Sequence, residues 1–201
     1  MKIARRLQHV KRSEIRSIFE TAPADAINLG LGEIHFPTPD LILDAGHKVL
    51  EGKYINYTPN AGLPELCQTI ARYYDNRIPR NNICVTNGTE EALFAAVQAL
   101  VDPGDEVLLA DPCFVAYETV VRLAGGIPVF FDLQSNMNFS IDRDSLQKAL
   151  SPRTKLILLC NPSNPLSICF TSSEIDFLVK ISTENSLYLL VDEIYRDLYY
   201  D

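Results

Sequence analysis

Two short runs near the end of the sequence, 155–160 (KLILLC) and 187–191 (LYLLV), are almost wholly apolar, and each stops abruptly at polar residues. The first runs into Asn161-Pro162-Ser163-Asn164-Pro165 and the second into Asp192-Glu193-Ile194-Tyr195. A half-exposed strand alternates apolar and polar residues, whereas a continuously apolar run of this length suits a strand buried on both faces of a parallel sheet. Open parallel sheets bind ligands just beyond the carboxyl ends of their strands. Asn164, Asp192 and Tyr195 are therefore expected at a ligand crevice.

The rest of the chain fits such a sheet. From about residue 60 onward, helical and strand patterns alternate, which argues for crossover units and a doubly wound or mixed α/β sheet. Helices are expected over 40–51, 63–74, 89–101, 116–124, 143–150 and 172–183, and strands over 82–86, 106–110, 128–132, 155–160 and 187–192. Turn residues punctuate them at Asp102-Pro103-Gly104-Asp105, Gly125-Gly126 and Ser151-Pro152. Earlier in the chain, 12–20 reads as a short amphipathic helix, followed by an irregular path through Gly30, Gly32, Pro37 and Pro39. The organisation expected is an N-terminal arm over 1–39 and one large domain over 40–201.

Composition narrows the function classes. A 47% apolar, 22% charged chain of 201 residues is expected to build a core, and a net charge of −8 without a basic run gives no support to nucleic-acid or anionic-membrane binding. The five cysteines form no Cys-x-x-Cys pair and no metal-ligand spacing with a histidine, so reduced thiols, no metal site and a cytoplasmic location are expected. The N-terminus lacks the apolar core of a secretory signal.

Three segments can carry chemistry. At Asn87-Gly88-Thr89 a strand pattern turns into a helix, and the free N–H groups of a first helical turn attract anions such as phosphate. An Asn-Gly turn with a Thr helix cap is also common structural punctuation, so this loop alone leaves both readings open. It is neither a Gly-Lys-Ser/Thr phosphate loop nor a Gly-x-Gly-x-x-Gly fingerprint, which disfavours a nucleotide-binding domain. After the strand over 106–110 come Asp111-Pro112-Cys113-Phe114 and Tyr117, whose rings either stack on a planar ligand or fill core. Asp192, at the end of a buried strand, needs a partner to offset the cost of burial. A cationic ring nitrogen is one such partner; Arg196 or a helix-capping contact is another.

In order along the chain, Gly32-Glu33, Tyr57-Thr58-Pro59-Asn60-Ala61-Gly62, Asn87-Gly88-Thr89-Glu90, Pro112-Cys113-Phe114, Asn161-Pro162-Ser163-Asn164-Pro165 and Asp192-Glu193-Ile194-Tyr195 resemble the landmarks of the class I/II aminotransferases of fold type I. The resemblance implies the large domain of that fold, with a mostly parallel central sheet flanked by helices, and pyridoxal phosphate as cofactor. It implies transfer of an amino group between an amino acid and a 2-oxo acid, in a homodimer. On the same basis, backbone N–H groups of Thr89 and Glu90 would hold the cofactor phosphate and Phe114 would stack on its ring. Asp192 would pair with the ring nitrogen, Asn164 and Tyr195 would bind the phenolic oxygen, and Gly32 would lie by the substrate carboxylate. Tyr57 would reach the phosphate of a neighbouring subunit.

The sequence also departs from the pattern. Pro165 is followed by Leu166-Ser167 where the family usually continues Thr-Gly. The family's cofactor-linking lysine lies beyond the tyrosine of its Asp-x-x-Tyr segment, and none of Lys2, Lys11, Lys48, Lys53, Lys148, Lys155 or Lys180 stands there. The resemblance therefore implies a large domain incomplete at its C-terminus, no C-terminal small domain, and little or no turnover by the 201-residue chain alone. Such a lysine acts as a general base, a role worth about 10²–10⁴-fold. A lyase, decarboxylase or synthase on the same scaffold, and a non-catalytic binding module or remnant, are the competing expectations.

Overall fold

A computed structural model describes residues 4, 7, 18, 20–23, 25–27, 30, 32, 36–52 and 56–198. Most of the helix expected over 12–20 lies outside them. The contacts divide the chain into two compact units, one of Arg12–Thr86 and the other of Asn87–Asp201 together with Met1–Lys11.

The larger unit is built on a five-stranded sheet. Its strands are β1 (Glu106–Asp111), β2 (Ile127–Gln134), β3 (Ser140–Ile141), β4 (Thr154–Cys160) and β5 (Tyr188–Asp192), in the order β3-β2-β1-β4-β5. Every pairing is parallel except β2 with the short β3, which the sequence reading missed and which two residue pairs hold antiparallel. In this unit the helices are α3 (Thr89–Leu100), α4 (Val115–Leu123), α5 (Arg143–Ala149) and α6 (Ser172–Glu184).

The period-two geometry of the central strands divides their side chains between two cores. Val107 and Leu109 of β1 and Leu156, Leu158 and Cys160 of β4 join Leu93 and Val97 of α3 and Tyr117, Val120 and Val121 of α4. The alternate residues Leu108, Ala110, Ile157 and Leu159 join Leu146 of α5 and Leu178 and Ile181 of α6. Both faces of β1 and β4 are thus buried, as expected from their composition. β5 is a correction: Tyr188 is exposed and Leu189, Leu190 and Val191 are half-buried. It pairs only with β4, so as an edge strand of the described sheet it is covered less than its apolar sequence suggests.

The smaller unit carries α1 (Asp40–Glu51), in which no residue is buried, and α2 (Pro64–Tyr73), which buries Cys67 and Ala71. The strand expected over 82–86 does not form a ladder with the described strands. Arg80–Asn82 is a 3₁₀ turn, Ile83 is extended, and the Val85 N–H donates to the Ala61 carbonyl at 2.9 Å. Apolar β-branched composition permits an extended segment, but a ladder needs a neighbouring backbone in register. Gly62, at φ +105°, is required where the chain passes Val85: a Cβ there would stand 2.7 Å from the Val85 side chain.

Candidate functional site

The carboxyl ends of β4 and β5, the start of α3 and the start of α4 enclose a cavity of about 330 Å³ within the larger unit. That is at the lower end of the roughly 300–1,000 Å³ typical of small-molecule sites. Of the residues expected at a site, Thr89, Glu90, Phe114, Asn164, Asp192 and Tyr195 all line it. Gly32 and Tyr57 belong to the smaller unit, where both are exposed.

The first wall is a helix N-terminus. Gly88 is the N-cap of α3 at φ 86° and ψ 172°, a conformation open essentially to glycine alone, and Thr89 is the first helical residue. The Thr cap entertained from sequence is therefore corrected: no side chain caps this helix. Instead Glu91 folds back, its carboxylate accepting from the Asn87 backbone N–H and, at 2.8 Å, from the Asn87 side-chain amide. Those bonds hold the Glu91 carboxyl below the usual range. The first-turn N–H groups of Thr89 and Glu90 have no intrahelical acceptor, and the helix dipole adds positive potential beside them.

The second wall is aromatic. Phe114 precedes α4 and Tyr117 lies in its first turn, three residues on, so the rings meet edge to face at 5.6 Å between centroids and 85° between planes. Tyr117 is fully buried and its hydroxyl donates to Asp192 Oδ2 at 2.9 Å. Burial, then the Asp192 charge and the neighbouring Cys160, push the Tyr117 phenol well above its ordinary pKa.

The third wall comes from the strand ends. Asp192, 6% exposed, accepts from the Ile194 N–H through Oδ1 at 3.0 Å. Arg196 does not reach it; its guanidinium lies 3.7 Å from Glu193, which removes the ion-pair alternative considered from sequence. Asn164 sits on a loop tied down at both ends: the Asn161 N–H donates to the Asp192 carbonyl at 2.9 Å, and the Asn161 side-chain oxygen accepts from the Phe170 N–H at 3.0 Å. The Asn164 amide reaches the Tyr195 hydroxyl at 3.5 Å, so the two polar groups converge without closing on each other tightly. The peptide bonds before Pro112, Pro162 and Pro165 are cis. Ser167 adopts φ 54°, the left-handed conformation that the family's usual glycine would take without strain.

Sequence reasoning missed the Tyr117–Asp192 bond and the place of Cys160 beneath them. The only trace was the three-residue spacing of Phe114 and Tyr117, which puts both on one side of a helix start. A larger concavity of about 720 Å³ is lined by Asp132, Asp142, Arg143 and Glu174 among others. Three of its carboxylates are occupied structurally: Asp132 accepts from the Ser145 hydroxyl at 3.0 Å, Asp142 caps α5, and Glu174 closes a capping box with Thr171 and accepts from the Ile141 N–H. Among the described residues there is no cluster of His, Cys, Asp and Glu able to hold a metal ion, and no helix long and apolar enough to cross a membrane.

A profile of the family described as aminotransferase class I and II matches residues 24–201. The chain belongs to that family. It is 37% identical over 203 residues to the "Probable aspartate aminotransferase" of Methanocaldococcus jannaschii, covering 99% of this chain and 54% of that protein. It is 35% identical to the aspartate aminotransferase of Geobacillus stearothermophilus, covering 100% of this chain and 53% of that one. Among solved structures, aspartate aminotransferase from Thermus thermophilus with maleate superposes with a TM-score of 0.95 at 31% identity, over 100% of this chain and 55% of that one. The chain spans about half the length of the curated relatives it matches. Its α/β fold with a mostly parallel sheet is that of the aminotransferase large domain.

Proposed function

We propose that this aminotransferase-family chain binds pyridoxal phosphate in the 330 Å³ cavity and serves amino-group transfer between an amino acid and a 2-oxo acid. The observation that carries the reading is the donor set. One cavity joins a helix N-terminus, an aromatic ring and an Asp, Asn and Tyr at neighbouring strand ends. These match, in turn, a phosphate, the face of a planar heterocycle, its ring nitrogen and its phenolic oxygen.

Each residue has a separate task. The Thr89 and Glu90 amides hold phosphate at the positive end of α3. Phe114 covers one face of the ring and excludes water from it. The Asp192 carboxylate would accept a hydrogen bond from the protonated ring nitrogen and so keep that nitrogen cationic, and Asn164 and Tyr195 would orient the phenolic oxygen. When bound, the cofactor supplies an electron sink for the pair released at the substrate's α-carbon. Gly32 would leave room beside the substrate carboxylate. Tyr57, wholly exposed here, would reach the phosphate site of a second copy in a homodimer.

The test is label transfer. The full-length protein, given pyridoxal phosphate, nitrogen-labelled aspartate and an unlabelled 2-oxo acid, should deliver the label to the 2-oxo acid. Aspartate is the amino acid to try first because it stands in the names of several relatives. Label released as ammonia, or loss of carbon dioxide from the substrate, would refute amino-group transfer in favour of lyase or decarboxylase chemistry.

A further inference from the structure

We infer that Tyr117 is a positioning residue that aims the Asp192 carboxylate at the cofactor ring nitrogen, an assignment that rests on the cofactor reading above. Both carboxylate oxygens are held from the protein side, Oδ2 by the Tyr117 hydroxyl at 2.9 Å and Oδ1 by the Ile194 N–H at 3.0 Å. A carboxylate torsion is otherwise broad and nearly two-fold, so a single bond would leave the group free to rotate. Two bonds from different directions fix its plane. Each oxygen keeps further acceptor capacity, and the cavity lined by Asp192 is where that capacity is available.

Three further features suit Tyr117 to this task. Its side chain is 0% exposed, so water does not compete for the bond. Its ring packs edge-on against Phe114, so the same helical turn that sets the ring-covering aromatic also sets the hydroxyl. The nearby Cys160 thiol donates to the Pro162 carbonyl at 3.0 Å, which leaves the phenol as the side-chain donor to Asp192. Burial and the carboxylate raise the phenol's pKa, so it remains a proton donor throughout the range in which proteins of this kind are handled.

The experiment compares two ligands on two proteins. Pyridoxine phosphate has the ring, phenol and phosphate but no aldehyde, so surface lysines do not capture it; its 1-deaza analogue lacks the ring nitrogen. Dissociation constants are read by ligand fluorescence for the wild type and Tyr117→Phe. Positioning through Asp192 predicts that Tyr117→Phe weakens pyridoxine phosphate by roughly ten- to a hundredfold, the scale of one hydrogen bond to a charged group, and leaves the deaza analogue unchanged. Equal weakening of both ligands, or of neither, overturns the assignment, since a merely structural tyrosine would not distinguish them. A wild type that fails to prefer pyridoxine phosphate over the analogue overturns the ring-nitrogen contact itself, a pattern distinct from failure of Tyr117 alone. If Tyr117→Phe does not fold, the same change is made in Asp192→Asn, which removes the buried charge. No further loss of affinity in the double variant supports the coupling, and additive loss refutes it.

Discussion

Replacing Gly88 by alanine tests the proposal that the start of α3 holds phosphate, and the backbone geometry behind it. Gly88 caps α3 at φ 86° and ψ 172°. An L-residue held there carries a strain of about 1–3 kcal/mol. Nothing lies within 4 Å of the Cβ that alanine would add, so no clash enlarges that figure. With a urea m-value of about 2 kcal/mol/M, the unfolding midpoint of Gly88→Ala should fall by roughly 0.5–1.5 M. The backbone can relieve the strain only by rotating Gly88, which turns the Thr89 and Glu90 amides away from their common direction. Pyridoxine phosphate should then lose more affinity than pyridoxine, which has no phosphate to feel those amides. An unchanged midpoint would refute the strained-cap account, and equal losses for the two ligands would refute the phosphate assignment.

Asp192→Asn, which removes the carboxylate from the cavity wall, should weaken pyridoxine phosphate at least tenfold in a fluorescence titration while its deaza analogue binds as before. Ser167→Gly should raise the stability by about 0.5–1 kcal/mol, because Ser167 is held at φ 54° and the strain relieved outweighs the added freedom of the unfolded chain; denaturant midpoints check it. Glu106, buried at the start of β1, accepts from the Ser151 hydroxyl and then from the Arg153 guanidinium, and these bonds hold its carboxyl below the ordinary range. A lowered folded-state pKa contributes stability above the unfolded value of about 4.3 that is lost as pH falls through the folded one. Glu106→Gln should therefore lower thermal stability at neutral pH and flatten its decline below about pH 4.3; an acid limb identical to wild type would count against the clamp.

How much of this was visible beforehand depends on the kind of residue. The run ending at Cys160 announced a buried parallel strand because helices covering both faces leave no polar face to encode. Asn164, Asp192 and Tyr195 could be placed together because residues following neighbouring parallel strands share one edge. Other features were not legible. The 82–86 segment has strand composition, but the register partner that makes a ladder is not written in it. The exposure of β5 depends on which strand stands at the sheet edge, a property of topology rather than of Tyr188–Asp192. Tyr117 and Asp192 lie 75 residues apart, and a hydrogen bond across that separation leaves no local pattern.

The most direct test of the central claim is a calorimetric titration of the chain with pyridoxine phosphate, which has no aldehyde and so can bind only through phosphate, ring and phenol contacts. The account predicts saturable binding of one ligand per chain, weakened by Gly88→Ala at the phosphate end and by Asp192→Asn at the ring end. No saturable binding, or binding indifferent to both substitutions, would contradict it.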